Sequence, residues 1–142
     1  MSAAFTARRR AALPPPHKPA SFTSSLIGSA MVVVIVEGEI DACNARDLAQ
    51  YTEDVLHAKR RLIVDLRGLT FFGTAGFSAL LYMNVTCSRR DVNWVLVPGD
   101  EVSRMLRICD PQLGLPVADT LETAIATVNR PPRNHLKPLP PA

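Results

Sequence analysis

The sequence predicts a small α/β domain built around a mostly parallel β-sheet. Three observations support this: short β-branched apolar runs alternate with segments of helical periodicity, Gly and Pro separate them, and the 142 residues are 47% hydrophobic. The predicted element order is β-β-α-β-α-β-α-β-α. Such alternation favours right-handed parallel crossovers, with an antiparallel pair only at the first hairpin.

The first half of the domain contains a hairpin followed by a helix. Residues 22–27 and 31–36 form the two strands, and Gly28-Ser29 between them is typical of a turn. Residues 38–41 end the second strand, and Asp41 is the predicted N-cap of a helix over residues 42–57.

The second half repeats a strand-helix pattern. Strands are predicted at residues 61–66 and 93–97, and residues 70–76 form a loop into the second helix. The predicted apolar face of that helix is Phe77, Leu81 and Val85. Asp100 caps a third helix that ends at residues 110–111. A short extended piece around Val117 precedes a last helix, whose apolar positions are Leu121, Ala124, Ile125 and Val128.

Charge and proline divide the chain into a folded body and two tails. Residues 1–20 and 131–142 are rich in Pro and basic residues and are predicted to be disordered, leaving one domain at 21–130. The net charge of the chain is +3, but residues 31–130 hold ten basic and thirteen acidic residues, a net of −3. An acidic body argues against direct nucleic-acid binding.

The sequence also argues against membrane insertion. The longest apolar stretch, at residues 26–36, is interrupted by Gly28-Ser29 and is much shorter than the ~20 residues needed to cross a bilayer. We therefore expect a cytoplasmic protein.

No catalytic motif is visible, so the sequence predicts a protein that is not an enzyme and needs no cofactor or metal. Glu37, Glu39 and Asp41 are compatible with a metal or acid-base site, although a solvated strand end with a helix cap is favoured. The three cysteines show neither disulfide-framework nor zinc spacing. Cys109 completes an apolar helix face, which favours a small buried thiol.

An unusual segment begins the second helix. Gly73 and Gly76 bracket Thr74-Ala75 where a loop enters the helix. Backbone N–H groups at a helix N-terminus favour an anion such as phosphate. Alternatively, Thr74 simply caps the helix and the glycines ease the turn. The residues alone favour neither interpretation.

Three segments together resemble the STAS domain, particularly the bacterial anti-sigma factor antagonists. They are GEID at residues 38–41, IVDL at 63–66 and GTAGF at 73–77. Pro98-Gly99 before the third helix and LGL at 113–115 fit the later half of the family. The resemblance covers residues 21–129.

The resemblance implies partner switching. Such an antagonist binds an anti-sigma factor that is also a serine kinase of the GHKL type, and thereby releases a sigma factor. The kinase phosphorylates a serine at the start of the second helix, which ends binding. Here Gly73 replaces the motif's aspartate, Thr74 occupies its first hydroxyl position, and Ala75 replaces the acceptor serine.

Two outcomes follow from Ala75, which cannot accept phosphate. Either Thr74 substitutes as the acceptor, or the protein is not regulated by this route. The second is favoured because a shift of one residue rotates a side chain by ~100° around the helix. Cysteine oxidation is a candidate substitute, at Cys43, Cys87 or Cys109, with Cys43 predicted to be the most accessible.

The predicted interface combines the loop at residues 38–44, the turn at 73–77 and the exposed face of the second helix. Its partner-binding residues are predicted to be Glu39, Asp41, Asn44, Thr74, Phe77, Ser78, Tyr82 and Arg89. Two other functions remain open at this point. One is a STAS subunit of a transporter or stress-signalling assembly, and the other is a nucleotide-binding STAS module with phosphate near Gly76.

Overall fold

A computed structural model describes residues 19–112 and 114–130. These residues contain a four-stranded sheet in the order β1-β2-β3-β4. The strands are β1 (Ser21–Ile27), β2 (Met31–Ile40), β3 (Arg61–Phe72) and β4 (Asn93–Val97). β1 is antiparallel to β2, whereas β2, β3 and β4 are mutually parallel. The predicted mostly parallel α/β class is confirmed.

Helices cover both faces of the sheet. The first face packs against α1 (Ala45–Leu56), α2 (Thr74–Arg89) and α3 (Gly99–Cys109), and the second packs against α4 (Leu121–Asn129). The predicted fifth strand is reduced to one parallel bridge between Val117 and Leu96. Residues 1–18 and 131–142 of the predicted tails, and Leu113 of the LGL segment, lie outside the described residues.

Both central strands are longer than the sequence predicts. β2 continues through Gly38 to Ile40, and β3 continues through the segment that was expected to form a loop, as far as Phe72. The cause is mutual pairing: Ile40 lies opposite Phe72, so each extension satisfies the other's backbone hydrogen bonds. Two register shifts absorb the irregularity. Gly38 has a positive φ of 103°, which favours glycine, and the absence of a Cβ there allows the Pro19 carbonyl to approach closely.

Two predicted helix caps are wrong. The N-cap of α1 is Asn44, so the helix begins at Ala45 and not at residue 42. Asp41 instead stabilises the preceding loop, where its Oδ1 accepts the Cys43 N–H at 2.8 Å. The N-cap of α3 is Pro98, and Asp100 lies inside the first turn. A carboxylate there still interacts favourably with the helix dipole.

The predicted apolar face of α2 is also wrong. Leu81 and Val85 are 44% and 48% exposed, and Phe77 is only half-buried. The buried positions are Gly76, Ala79, Leu80, Met83 and Cys87. Apolar residues surround most of this helix, so a four-residue repeat did not identify the packed side. The small residues Gly76 and Ala79 are among the buried positions, and Gly76 lies directly against the Phe72 ring of the sheet.

The aspartate of the IVDL segment has a structural role. Asp65 is buried, and Arg67 binds both its oxygens through Nε at 2.9 Å and Nη2 at 2.8 Å. Burial raises the pKa of Asp65, but the Arg67 side-chain and backbone hydrogen bonds and its charge outweigh this and leave the pKa below its usual value. The ion pair with Arg67 therefore offsets the cost of burying the charged Asp65 carboxylate in the sheet.

The contact between Gly76 and Phe72 sets how closely α2 packs on the sheet. A Cβ on Gly76 would lie 2.4 Å from Cε1 of the buried Phe72 ring. We therefore expect Gly76→Ala to lower the free energy of unfolding by about 1–3 kcal/mol, because the overlap outweighs alanine's higher helix propensity. Urea denaturation measures this change. The matched control is Ser88→Ala on the exposed side of α2, and equal stability of the two variants would contradict the prediction.

Candidate partner-binding site

The start of α2 is joined to the end of β2. The Gly73 N–H donates to the Ile40 carbonyl at 3.0 Å, and the Gly73 carbonyl accepts the N–H groups of Gly76 and Phe77 at 2.9 and 3.3 Å. Gly73 is the N-cap, with φ −91° and ψ 179°, so the interpretation of Thr74 as the capping residue is wrong. Thr74 is the first helical residue, and its side chain is exposed.

The loop between β2 and α1 is held by one side chain. Asn44 Oδ1 accepts the Asp41 N–H at 2.9 Å, and Asn44 Nδ2 donates to the Glu39 carbonyl at 2.8 Å. The predicted partner residue Asn44 therefore uses both polar atoms inside the loop and acts as a positioning residue. The side chains of Glu39 and Asp41 are both half-buried.

A groove of about 610 Å³ separates the first halves of α1 and α2. Alanines from the loop and both helices line much of it, since their short side chains leave space between the helices. Polar groups from the two helices complete the lining. The full lining is Ala42, Ala45, Arg46, Ala49, Gln50, Glu53, Ala75, Ser78, Ala79 and Tyr82. The groove thus connects the two segments that the sequence assigned separately to the interface.

The structure brings together only part of the predicted interface. Thr74, Ser78 and Tyr82 share the outer side of α2, and the last two line the groove. Phe77 is half-buried and packs against the main core cluster. Arg89 is exposed, but fifteen residues of helix place it roughly 22 Å along α2 from Thr74. Arg89 therefore lies apart from the loop end of the site.

Phe71 is 46% exposed at the end of β3 and was not among the predicted partner-binding residues. It lies opposite Glu39 in the sheet, and its ring is the nearest neighbour of the Gly73 Cβ position at 3.3 Å. Strand alternation would have placed Phe71 outward and Phe72 inward, but only if β3 had been extended past residue 66. The α1 residues Arg46, Gln50 and Glu53 were missed because the groove depends on helix packing.

Within the described ranges, no group of three or more His, Cys, Asp or Glu side chains is arranged to hold a metal ion. The interpretation of Glu37, Glu39 and Asp41 as a metal site therefore has no support there. Among residues 19–112 and 114–130, no helix is both long and apolar enough to span a bilayer.

The three thiols differ in exposure. Cys43 is exposed in the loop after β2, Cys109 is half-buried and Cys87 is buried. Because Cys109 is only half-buried, the expectation of a buried thiol there is wrong. Its Sγ lies 3.5 Å from Met105 Sδ. Burial raises the pKa of the Cys87 thiol to about 12. The prediction that Cys43 is the most accessible of the three agrees with these positions.

The chain belongs to the STAS domain family, whose model matches residues 25–124. The anti-sigma-F factor antagonist RsfA of Mycobacterium tuberculosis is 34% identical over 99 residues, which cover 67% of this chain and 77% of that protein.

Two solved structures show the same fold. One is an anti-sigma factor antagonist from Mycobacterium paratuberculosis, with a TM-score of 0.69 and 23% identity over 79% of this chain and 96% of that one. The other is the antagonist SpoIIAA in its unphosphorylated form, with a TM-score of 0.60 and 18% identity over 74% and 93%. The STAS resemblance inferred from the motifs is confirmed.

The burial order predicts selective alkylation. When the native protein is treated with iodoacetamide, we expect Cys43 to react first and Cys87 last, because the thiolate is the nucleophile and Cys87 is both buried and protonated. Mass spectrometry of peptides over time measures the three rates. In urea the three rates should become comparable. The prediction fails if native Cys43 reacts no faster than Cys87 or Cys109.

Proposed function

We propose that this protein is an anti-sigma factor antagonist, which binds an anti-sigma factor and so releases a sigma factor for transcription. The observation that carries the proposal is the 34% identity, over 67% of this chain, to a protein of that function. The activity proposed is binding, without a chemical reaction on the partner.

The surface around the groove has features suited to protein binding. Tyr82 on the groove and Phe71 at the end of β3 are large exposed side chains of the kind that dominate binding energy when buried by a partner. The alanine-lined groove between α1 and α2 offers space for a side chain of the partner. Glu39 and Asp41 add negative charge beside it, which favours a partner with a basic contact surface.

We infer that the partner is a GHKL-type anti-sigma kinase but that the serine switch is absent. Ala75 occupies the acceptor position, is half-buried, and lines the groove next to Ala42 and Ser78. Thr74 is rotated about 100° around the helix axis from Ala75 and is not among the residues that line the groove. A phosphate group at this position would add a charge of about −1.5 to −2 to the groove. The wild-type chain has no hydroxyl at residue 75 that could accept the phosphate.

Capture from the native bacterium tests the binding function. The full chain, used as bait, should retain an anti-sigma factor, identified by mass spectrometry. The Phe71→Ala bait should bind the purified partner roughly 30-fold more weakly, about 2 kcal/mol, because an exposed aromatic anchor is lost. Ile108→Ala is the matched control, since Ile108 is 73% exposed on α3 and should leave binding unchanged.

Other results of this capture contradict the proposal. Retention of a transporter ATPase in place of an anti-sigma factor would support a transporter subunit. If Ile108→Ala weakens binding as much as Phe71→Ala, the interface lies elsewhere. Calorimetric titration of the protein alone with ATP and GTP tests the nucleotide-binding alternative. That alternative requires heat of binding in the absence of any protein partner.

The loss of the serine switch predicts a gain of phosphorylation. When the captured kinase and ATP are supplied, we expect label on the Ala75→Ser variant and none on the wild type. Ala75→Gly is the control, because it changes the same position without adding a hydroxyl. Label on the wild type that Thr74→Ala abolishes would show instead that Thr74 is the acceptor.

A further inference from the structure

β1 forms an open edge of the sheet. It pairs with β2 along its full length from Ser21 to Ile27, and no strand of the described residues pairs with its other side. Six of its seven residues are exposed. The opposite edge is partly closed, because Val117 bridges to Leu96 beside β4.

The edge lacks the features by which proteins usually prevent strand pairing. Charged residues, prolines, bulges and short length all protect edge strands. The sequence of β1, SFTSSLI, contains neither charge nor proline, and its pairing with β2 runs without a register shift. By contrast, the pairing of β2 with β3 contains two shifts. The seven-residue β1 edge therefore presents a regular row of backbone donors and acceptors.

We propose that two copies of this chain associate through β1, forming an antiparallel β1-β1 pair and one continuous sheet. This inference does not depend on the proposed function. Across a two-fold axis, residue i of one strand faces residue j of the other, and the sum of the two residue numbers is the same for every pair. Paired residues must also point to the same face of the sheet, and side chains alternate between faces along a strand. The sum must then be even. The one register that pairs all seven residues is centred on Ser24.

This register is complementary in its side chains. Phe22 and Leu26 lie on the same face as α1, where Phe22 stacks on Tyr51 with ring centroids 5.4 Å apart. In the dimer, Leu26 of each copy lies opposite Phe22 of the other. Leu26 is 57% exposed in the single chain and would be covered by this aromatic pair. Ile27, 39% exposed on the second face, lies opposite Ser21.

Ser24 lies on the two-fold axis of the proposed dimer, so Ser24 of one protomer faces Ser24 of its partner with about 4.5–5.5 Å between their Cβ atoms. Substitutions at this position therefore test the register directly. Each of the variants Ser24→Lys and Ser24→Glu places two like charges opposite each other across the dimer axis. Sedimentation equilibrium of the full-length wild type should show a monomer-dimer equilibrium, and each variant should dissociate about tenfold or more readily. An equimolar mixture of the two variants should recover a mixed dimer through opposite charges.

Gln112→Lys is the control, because Gln112 is exposed in the turn after α3 and should leave dimerisation unchanged. Hydrogen exchange of residues 21–27 is the second measurement, and protection of the wild type should increase with protein concentration. Circular dichroism should show that both Ser24 variants remain folded, as expected for an exposed position.

Three results would overturn the proposal. The first is a wild type that remains monomeric at high micromolar concentration. The second is a dimer that neither Ser24 variant weakens, which would place the interface on another surface. The third is protection of residues 21–27 that does not vary with concentration, which would assign the edge to another segment of the same chain, such as residues 1–18.

Discussion

The parallel pairing of β2 with β3 continues to the last residue of both strands, where Ile40 lies opposite Phe72. This pairing determines where the candidate site forms. The chain leaves β2 into the loop before α1, leaves β3 into the start of α2, and the Gly73 N–H bonds to the Ile40 carbonyl between them. Two segments more than thirty residues apart therefore lie side by side. Without the extended strands, neither the loop nor the helix start would have a defined relative position.

Close packing then shapes the surface that this pairing creates. Gly76 lets the buried Phe72 ring approach the axis of α2, and alanines between α1 and α2 leave a groove in place of interdigitated side chains. Asn44 holds the loop at the mouth of the groove through two hydrogen bonds. Small residues at these points have a positive structural function: they position the backbone and leave space. The exposed side chains Phe71 and Tyr82 supply the area available to a partner.

Under the proposed function, Ala75 separates partner binding from regulation by phosphorylation. The surface proposed to bind a partner does not need a hydroxyl at residue 75, whereas a serine switch does. In this proposal, an alanine at residue 75 keeps the fold and the binding surface but provides no hydroxyl for a kinase. In the sheet, β1 lies beside β2 on the side away from β3. Association through the outer edge of β1 would therefore leave the β2-β3 hydrogen bonds unchanged.

The order of the first four strands and of the helices, the first hairpin and the STAS motifs could all be predicted from the sequence, because β-branched runs, Gly-Pro punctuation and motif spacing are local properties. The sequence analysis placed Thr74, Ala75 and Gly76 in a loop before the second helix, whereas they form the first turn of that helix. The tertiary structure alone decided the lengths of β2 and β3, the buried side of α2, the exposure of Phe71 and the existence of the groove. Strand ends depend on the partner strand. A helix that is apolar on most sides contains too little contrast to indicate which face is buried, so the closeness of its neighbours makes that choice.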